Sequence, residues 1–311
     1  MELYLKRSPA LKKIKKKIGN ANHLIITLLV ALNVAENTPG IIVPNDLRTS
    51  WNPKNKTNSI NQSRIFLINS ILNRAVDAFD LYVALSKEKP CLFRDIALIE
   101  ELNENKNRTS KKAEIIFKYF DTDKKLAAFM MLIIDWRNKE IHSNAPTNLS
   151  PSNKKILKDN EEWYKTTFCN LDINKLLDNY NKKNSVPTLK EITSIFRCIH
   201  MIIEDIDAKG LKKFESNVND KDMFLKECVV DYLKLNVSDN KNISKEIKMK
   251  LSNIWGKAGD NKQNCVQNLL INCGYTNIKD ANIIVTFEES IIDNLLRMTT
   301  NEVYSWCEDI I

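Results

Sequence analysis

Apolar residues recur at every third or fourth position through most of this chain of 311 residues, which is the spacing of a helix with one buried face. Glycine and proline, the residues that most often form tight turns, number only 6 and 8. An all-β fold needs a turn roughly every 8–12 residues and usually contains more of both. The sequence therefore predicts an all-α protein, long enough for one large domain or two smaller ones.

The periodic segments are separated by polar or proline-containing stretches, and their limits predict where the helices lie. They predict helices over about 10–36, 61–87, 91–103, 110–143, 150–180, 187–210, 222–235, 243–255, 260–272 and 286–309, with one short strand within 283–287. A linker rich in Asn, Asp and Lys at about 213–222 separates the helix predicted over 187–210 from the helix predicted over 222–235. We therefore expect a helical bundle over residues 1–212 and a smaller, mostly helical C-terminal domain over 213–311.

The N-terminal segment has two interpretations. Five lysines between positions 12 and 17 precede the apolar run 24–32, an order that is typical of a signal peptide. However, Leu24, Leu28 and Leu32 share one helix face, a polar residue follows the run directly, and the run is too short to span a bilayer. We therefore expect a buried helix in a cytoplasmic protein, with no membrane contact.

Charge and cysteine content restrict the chemistry only partly. The chain has 47 Lys+Arg against 39 Asp+Glu, a formal net charge of +8, which suits a polyanionic partner such as RNA. Lysine, asparagine and isoleucine are all abundant, so the same charge is also explained by biased composition. The 7 cysteines are odd in number and lack zinc-finger spacing, which predicts reduced thiols and neither a structural metal nor a cofactor.

The histidines provide the sharpest chemical signal. The chain has 3 of them, and we expect His23 and His200, which lie among apolar residues, to be packed in the core. His142 differs, because it ends the run Arg137-Asn138-Lys139-Glu140-Ile141-His142, where the most apolar long helix becomes polar.

This motif combines two side chains that suit a phosphate ester. Arg137 offers a permanent positive charge and a planar fork of donors. Histidine has an unperturbed pKa of about 6.5, so His142 can both give and take a proton near neutral pH. On a straight helix the two side chains point about 140° apart, so they converge only where the helix ends or bends. Pro146 predicts such an end, which places His142 in the last helical turn.

Arginine and histidine without a carboxylate cluster suit the cleavage of RNA by its own 2′-hydroxyl. A base removes the 2′ proton, the oxygen attacks the adjacent phosphorus, and an acid protonates the departing 5′ oxygen, while the guanidinium stabilises the phosphoryl charge. The reaction requires two proton-transfer groups, whereas the motif provides one. A two-fold dimer that faces its motifs together supplies the second, so the chemistry predicts a homodimer with a composite active site.

Arg137, Asn138 and His142, at the end of a long helix in an α-bundle, resemble the signature of the HEPN superfamily, an arginine and a polar residue followed by a histidine. Residues 74–82 also resemble an early helix of that family, and the resemblance covers roughly residues 10–210. It implies a dimeric bundle, and many members are metal-independent ribonucleases that act as toxins or in antiviral defence. Arg137 and His142 would be catalytic, Asn138 would orient the phosphate or hold the helix end, and Lys139 would contact the RNA backbone.

A second interpretation assigns the chain to another class of protein. Other members of the superfamily have lost activity, and on that pattern the chain is a catalytically silent helical module that binds RNA or protein, or an accessory subunit of a defence complex. The C-terminal domain resembles no family, and we expect it to select the target, gate the site or complete the dimer. A neutralising or activating protein partner fits either interpretation.

Overall fold

The computed structural model describes residues 3–41, 43–141, 149–182, 186–215, 218–235, 243–278, 284–287 and 289–310. Within those ranges the helices are α1 (Pro9–Asn37), α2 (Lys56–Lys87), α3 (Ile96–Glu104), α4 (Thr109–Tyr119), α5 (Lys124–Ile141), α6 (Pro151–Asp159), α7 (Glu161–Thr167), α8 (Ile173–Asn181), α9 (Leu189–Glu215), α10 (Val218–Leu233), α11 (Ile243–Trp255), α12 (Gly259–Cys273), α13 (Glu289–Arg297) and α14 (Thr300–Cys307). The strands are β1 (Leu3–Leu5), β2 (Tyr275–Thr276) and β3 (Val285–Phe287). The predicted all-α class is confirmed.

The single helix predicted over 110–143 is wrong, because the structure divides it into α4 and α5. The break lies at Asp121, whose φ is +45°, and there Thr122 N donates to Phe117 O at 3.0 Å. The carboxylate of Asp123 then accepts a hydrogen bond from Lys125 N at 2.8 Å at the start of α5. The five residues 121–125 are all polar, and this interruption of the apolar period marks the break that the prediction of one helix overlooked.

The helix predicted over 150–180 is likewise three helices, α6, α7 and α8. Ser150 caps α6 by accepting from Asn153 N, and Asp172 caps α8 by accepting from Lys175 N at 3.0 Å. Cys169 and Asn170, with φ of +52° and +65°, separate α7 from α8. Left-handed residues of this kind end a helix.

The chain forms two compact units. The motif unit comprises Ile14–Asp80 and Asn105–Ile202, and the sheet unit comprises Met1–Lys13, Leu81–Glu104 and Ile203–Ile311. The unit that holds the C-terminal third therefore also takes segments from the N-terminus and from the region after α2. The domain boundary predicted at residue 212 does not include these segments in the C-terminal domain.

The core of the motif unit is rich in aromatic side chains. Phe129 of α5 packs edge-on against Tyr164 and Phe168, with ring centroids 5.8 and 5.3 Å away. Phe79 of α2 and Phe117 of α4 form another buried pair at 6.0 Å. These contacts join α2 to α4, and α5 to α7 and the residue that follows it.

The sheet unit is built on three short antiparallel strands in the order β2-β1-β3. Leu5 of β1 lies opposite both Tyr275 and Val285, and all three are buried. The strand predicted within 283–287 is confirmed over Val285–Phe287, whereas β1 was not predicted, since three residues are too few to show a period.

The expectation that the apolar run of α1 is buried is wrong. Leu24 and Leu28 are 60% and 49% exposed, and Ile26, Val30 and Val34 are exposed as well. The buried apolar residues of α1 follow another stripe: Ala10, Leu11, Ile14, Ile18 and Ile25. Both stripes keep helical spacing, so the sequence did not show which of them packs.

The helix α1 is also long and apolar enough to cross a membrane. Its most apolar window has a mean hydropathy of 1.5, and 13% of that window is buried. Within the described ranges it is the one helix that meets these conditions of length and composition. The same conditions are met by core helices of soluble proteins and by signal sequences, so they do not identify what covers this face.

Candidate active site

The last turns of α5 are fixed by contacts with α8. Trp136 is fully buried, and its ring meets the ring of Tyr180 edge-on at 5.8 Å. The hydroxyl of Tyr180 donates to the carboxylate of Asp135 and accepts from Leu149 N at 3.4 Å. Burial raises the pKa of Asp135, partly offset by the hydrogen bond from Tyr180. The helix segment that carries the motif is therefore held from the side of α8.

Among the described residues, Arg137 has only weak polar contacts. Its Nη1 donates to the side-chain oxygen of Asn138 at 3.2 Å, and its Nη2 lies 3.4 Å from the carboxylate of Asp77 on α2. The Asp77 side chain is 63% exposed, whereas that of Arg137 is 21% exposed. Its Nε is buried and has no hydrogen-bond partner among the described residues. Such a guanidinium is available to a phosphate.

A row of polar side chains on α2 faces this part of α5. Asn69, Asn73 and Asp77 are spaced four residues apart, so they follow one side of the helix. Asn69 donates to the carboxylate of Glu140 at 3.0 Å, and Asp77 contacts Arg137. We call these five residues the α2–α5 polar cluster.

The α2–α5 polar cluster contains three buried polar atoms that lack a partner in the described part of the chain. They are Asn69 Oδ1, Asn73 Oδ1 and Arg137 Nε. Buried polar atoms are nearly always hydrogen-bonded, so each exception requires an explanation such as a ligand. Two acceptors and one donor match the mixed donors and acceptors of a ribose phosphate.

The sequence did not identify Asn69, Asn73, Asp77 or Glu140 as site residues. A signal existed, because the polar residues on α2 interrupt an otherwise apolar stripe at intervals of four. Burial raises the pKa of Glu140, while the hydrogen bond from Asn69 and the charge of Lys139 act in the opposite direction. A carboxyl group with a raised pKa exchanges protons closer to neutral pH.

Lys139 is engaged within the motif unit. Its Nζ donates to the main-chain oxygen of Tyr180 at 2.6 Å and lies 4.3 Å from the centre of the Tyr180 ring. This contact adds a further link between α5 and α8. The RNA contact that the sequence suggested for Lys139 stays a prediction.

The histidines have three different outcomes. His142 and Pro146 lie outside the described residues, so the catalytic role of His142 and its place in the last turn stay predictions. His23 is exposed on α1, so the expectation of a core histidine is wrong there. His200 on α9 is half-buried. The structure thus brings together Arg137 and Asn138 with residues of α2.

The cysteine and acidic side chains are the candidate metal ligands of this chain. All seven cysteines are free thiols, and Cys198, Cys228, Cys273 and Cys307 are buried. Among the described residues, no group of three or more His, Cys, Asp or Glu side chains lies in an arrangement that could hold a metal ion.

Comparison with protein-family models, with curated proteins and with solved structures finds no match to this chain.

Proposed function

We propose that this protein is a HEPN-like, metal-independent endoribonuclease that works as a homodimer. Arg137 binds the scissile phosphate, His142 is the general acid/base, and Asn138 orients the phosphate. The observation that supports this most directly is the state of Arg137, a partly buried guanidinium whose ion pair reaches an exposed carboxylate at 3.4 Å. A role as a toxin or antiviral effector, with a neutralising or activating partner, rests on the resemblance to the superfamily.

The chemistry of the proposed reaction matches the surroundings of Arg137. The guanidinium exchanges Asp77 for a phosphate and stabilises the charge that accumulates on the phosphoryl oxygens during attack by the 2′-hydroxyl. The oxygens of Asn69 and Asn73 are buried and have no partner among the described residues, and they accept from ribose hydroxyl groups once RNA binding turns these side chains outward. Ribose hydroxyl groups distinguish RNA from DNA. Release of the 5′ oxygen leaves a 2′,3′-cyclic phosphate.

The exposed apolar face of the motif unit supports the homodimer. Leu24, Val30 and Val34 of α1 are each more than half exposed, and Phe66 of α2 is 76% exposed. Exposed apolar side chains mark interaction sites in soluble proteins where they cluster. A two-fold axis lets the same patch on two copies cover itself.

The first test is the cleavage of total RNA and tRNA in EDTA by wild type, Arg137→Ala and His142→Ala. Arg74→Ala is the matched control, since Arg74 is an exposed arginine on α2 that lies outside the α2–α5 polar cluster. We expect wild type and Arg74→Ala to cut and leave 2′,3′-cyclic phosphate ends, while the two motif variants do not.

Two results would contradict the proposal. If the motif variants cut like wild type, the site is elsewhere. If wild type binds RNA through Arg137 without cutting it, with or without cellular extract as a source of an activator, the chain is the silent binding module.

A further inference from the structure

The sheet unit contains a cavity of about 770 Å³ beside the first turn of α1. Three parts of the unit line it: the link from β1 to α1, the later turns of α9, and the strands β2 and β3 with their neighbouring residues. Pockets of about 300–1,000 Å³ hold ligands of cofactor size. The cavity belongs to a different unit from Arg137, and the proposed ribonuclease site makes no use of it.

The lining is predominantly basic. The cationic residues are Lys6, Arg7, Lys12 and Lys212, and the acidic ones are Glu204 and Asp207. Asp207 is fully buried, and its carboxylate accepts hydrogen bonds from Ser8 N at 2.9 Å, from the Ser8 hydroxyl and from the Tyr82 hydroxyl at 3.2 Å. Its charge is therefore engaged at the start of α1, and the lining has four cationic side chains against two carboxylates.

Three of these cations have no ion-pair partner among the described residues: Arg7, Lys12 and Lys212. All three are exposed to solvent. Partial burial lowers the pKa of Lys12, the nearby Cys273 and Cys228 act in the opposite direction, and the charge of Arg7 lowers the pKa further. Two cations held beside one another repel, and an anion between them reverses this repulsion.

The backbone of Gly274 is shaped to admit Lys12. Gly274 ends α12 with a φ of +116°, and its N–H donates to Leu270 O and Ile271 O. A Cβ atom at this position would lie 2.9 Å from Lys12 Nζ. The ammonium group therefore lies directly over the glycine, at the wall of the cavity.

We propose that this cavity binds a phosphate-bearing small molecule of nucleotide size, with Arg7, Lys12 and Lys212 on its phosphates. Clustered cations are the usual recognition groups for phosphate. The volume exceeds what one inorganic ion needs, and Ala208 and Ile284 give the wall an apolar part that suits a base. A single RNA strand instead binds along extended grooves with stacking aromatic residues, and the described residues of the lining include none.

The test is calorimetric titration of the full chain with ATP, tripolyphosphate and adenosine, in an Arg137→Ala background. Because it measures ligand binding and not RNA cleavage, its result is independent of the proposed ribonuclease activity. We expect ATP and tripolyphosphate to bind at one site per chain, and adenosine to give no measurable heat.

The decisive comparison uses two double variants with the same loss of charge. Arg7→Gln with Lys212→Gln should weaken the binding of ATP about tenfold or more, since charge-assisted hydrogen bonds are lost. Lys13→Gln with Lys213→Gln, at neighbouring positions outside the lining, should stay within about twofold of the parent. Thermal unfolding of both variants checks that they fold.

A substitution in the backbone wall gives an independent reading. Gly274→Ala should weaken binding because its methyl group displaces the Lys12 ammonium, whereas Gly259→Ala, at a φ of +53° with no atom within 4 Å, should not. The proposal is wrong if neither ATP nor tripolyphosphate binds, or if both double variants weaken binding equally. It is also wrong if a ten-nucleotide RNA binds through Arg7 and Lys212 while ATP does not.

Discussion

Replacing Asp77 by asparagine should tighten RNA binding while leaving the fold intact. The carboxylate lies 3.4 Å from Arg137 Nη2 and is 63% exposed. At that distance two unit charges attract by about 1 kcal/mol in water, and exposed pairs measured in proteins contribute roughly 0.2–1 kcal/mol. A phosphate that binds Arg137 must displace this interaction.

The expected gain in affinity follows from the same range. Removing the Asp77–Arg137 ion pair, which contributes about 0.2–1 kcal/mol, lowers the Kd for RNA by about 1.5- to 5-fold. The free energy of unfolding should change by less than about 1 kcal/mol, because an exposed ion pair contributes little to stability. Asp178→Asn, on the exposed side of α8, is the matched control and should change neither quantity.

The assay is fluorescence anisotropy with a labelled single-stranded RNA in a His142→Ala background, which keeps the RNA intact, together with urea unfolding. Weaker RNA binding in Asp77→Asn would mean that the carboxylate orients Arg137 and does not compete with RNA. A loss of more than about 2 kcal/mol of stability would mean that the ion pair is structural. Either result would contradict the competition between Asp77 and RNA for Arg137.

Three further predictions concern the motif unit. Tyr180→Phe removes the hydroxyl that bonds Asp135 and Leu149, and should lower the free energy of unfolding by about 1–3 kcal/mol in urea denaturation. Burial raises the pKa of Asp135 in the folded state, so wild type loses stability as the pH rises above the ordinary carboxyl pKa of 3.8. Asp135→Asn should lack this loss. Its stability relative to wild type should therefore increase with pH in thermal unfolding between pH 4 and 7. Val30→Asn on α1 should shift a homodimer toward monomer in sedimentation velocity, whereas Asn33→Ser should not; a wild type that sediments as a monomer at all concentrations would contradict the dimer.

Helix content was predictable because it depends on local spacing. The periods that predicted α1, α2, α9, α11 and α12 extend over many residues of one chain segment. Breaks within a period were not predictable in the same way. A run of five polar residues, 121–125, separates the apolar segments of α4 and α5, but such a run also occurs on the exposed side of unbroken helices, and the left-handed conformation of Asp121 is not visible in the sequence.

The site was predictable only in the part that one helix carries. Arg137 and Asn138 are adjacent in sequence, so their motif was visible without a structure. Their neighbours on α2 are remote in sequence, since Asp77 lies 60 residues before Arg137. Pairing of this kind depends on how α2 packs near α5, and a polar residue on an apolar stripe does not name its partner. For the same reason the two stripes of α1 were not distinguishable.

Glu140 determines whether the proposed reaction depends on a second copy of the chain. The reaction needs two proton-transfer groups, and a dimer supplies them as two histidines. Yet Glu140 lies three residues from Arg137, on the same side of α5, and burial raises the pKa of its carboxyl group. A raised pKa suits a carboxyl group to proton transfer closer to neutral pH.

The two possible sources of the second proton-transfer group predict opposite results. If the dimer supplies both groups, Val30→Asn abolishes cleavage and Glu140→Gln leaves it nearly unchanged; if one chain suffices, Glu140→Gln abolishes cleavage and a monomeric Val30→Asn retains it. Since the carboxylate of Glu140 accepts from Asn69 and an amide oxygen can replace it, a loss of activity in Glu140→Gln without a loss of stability assigns the proton to Glu140.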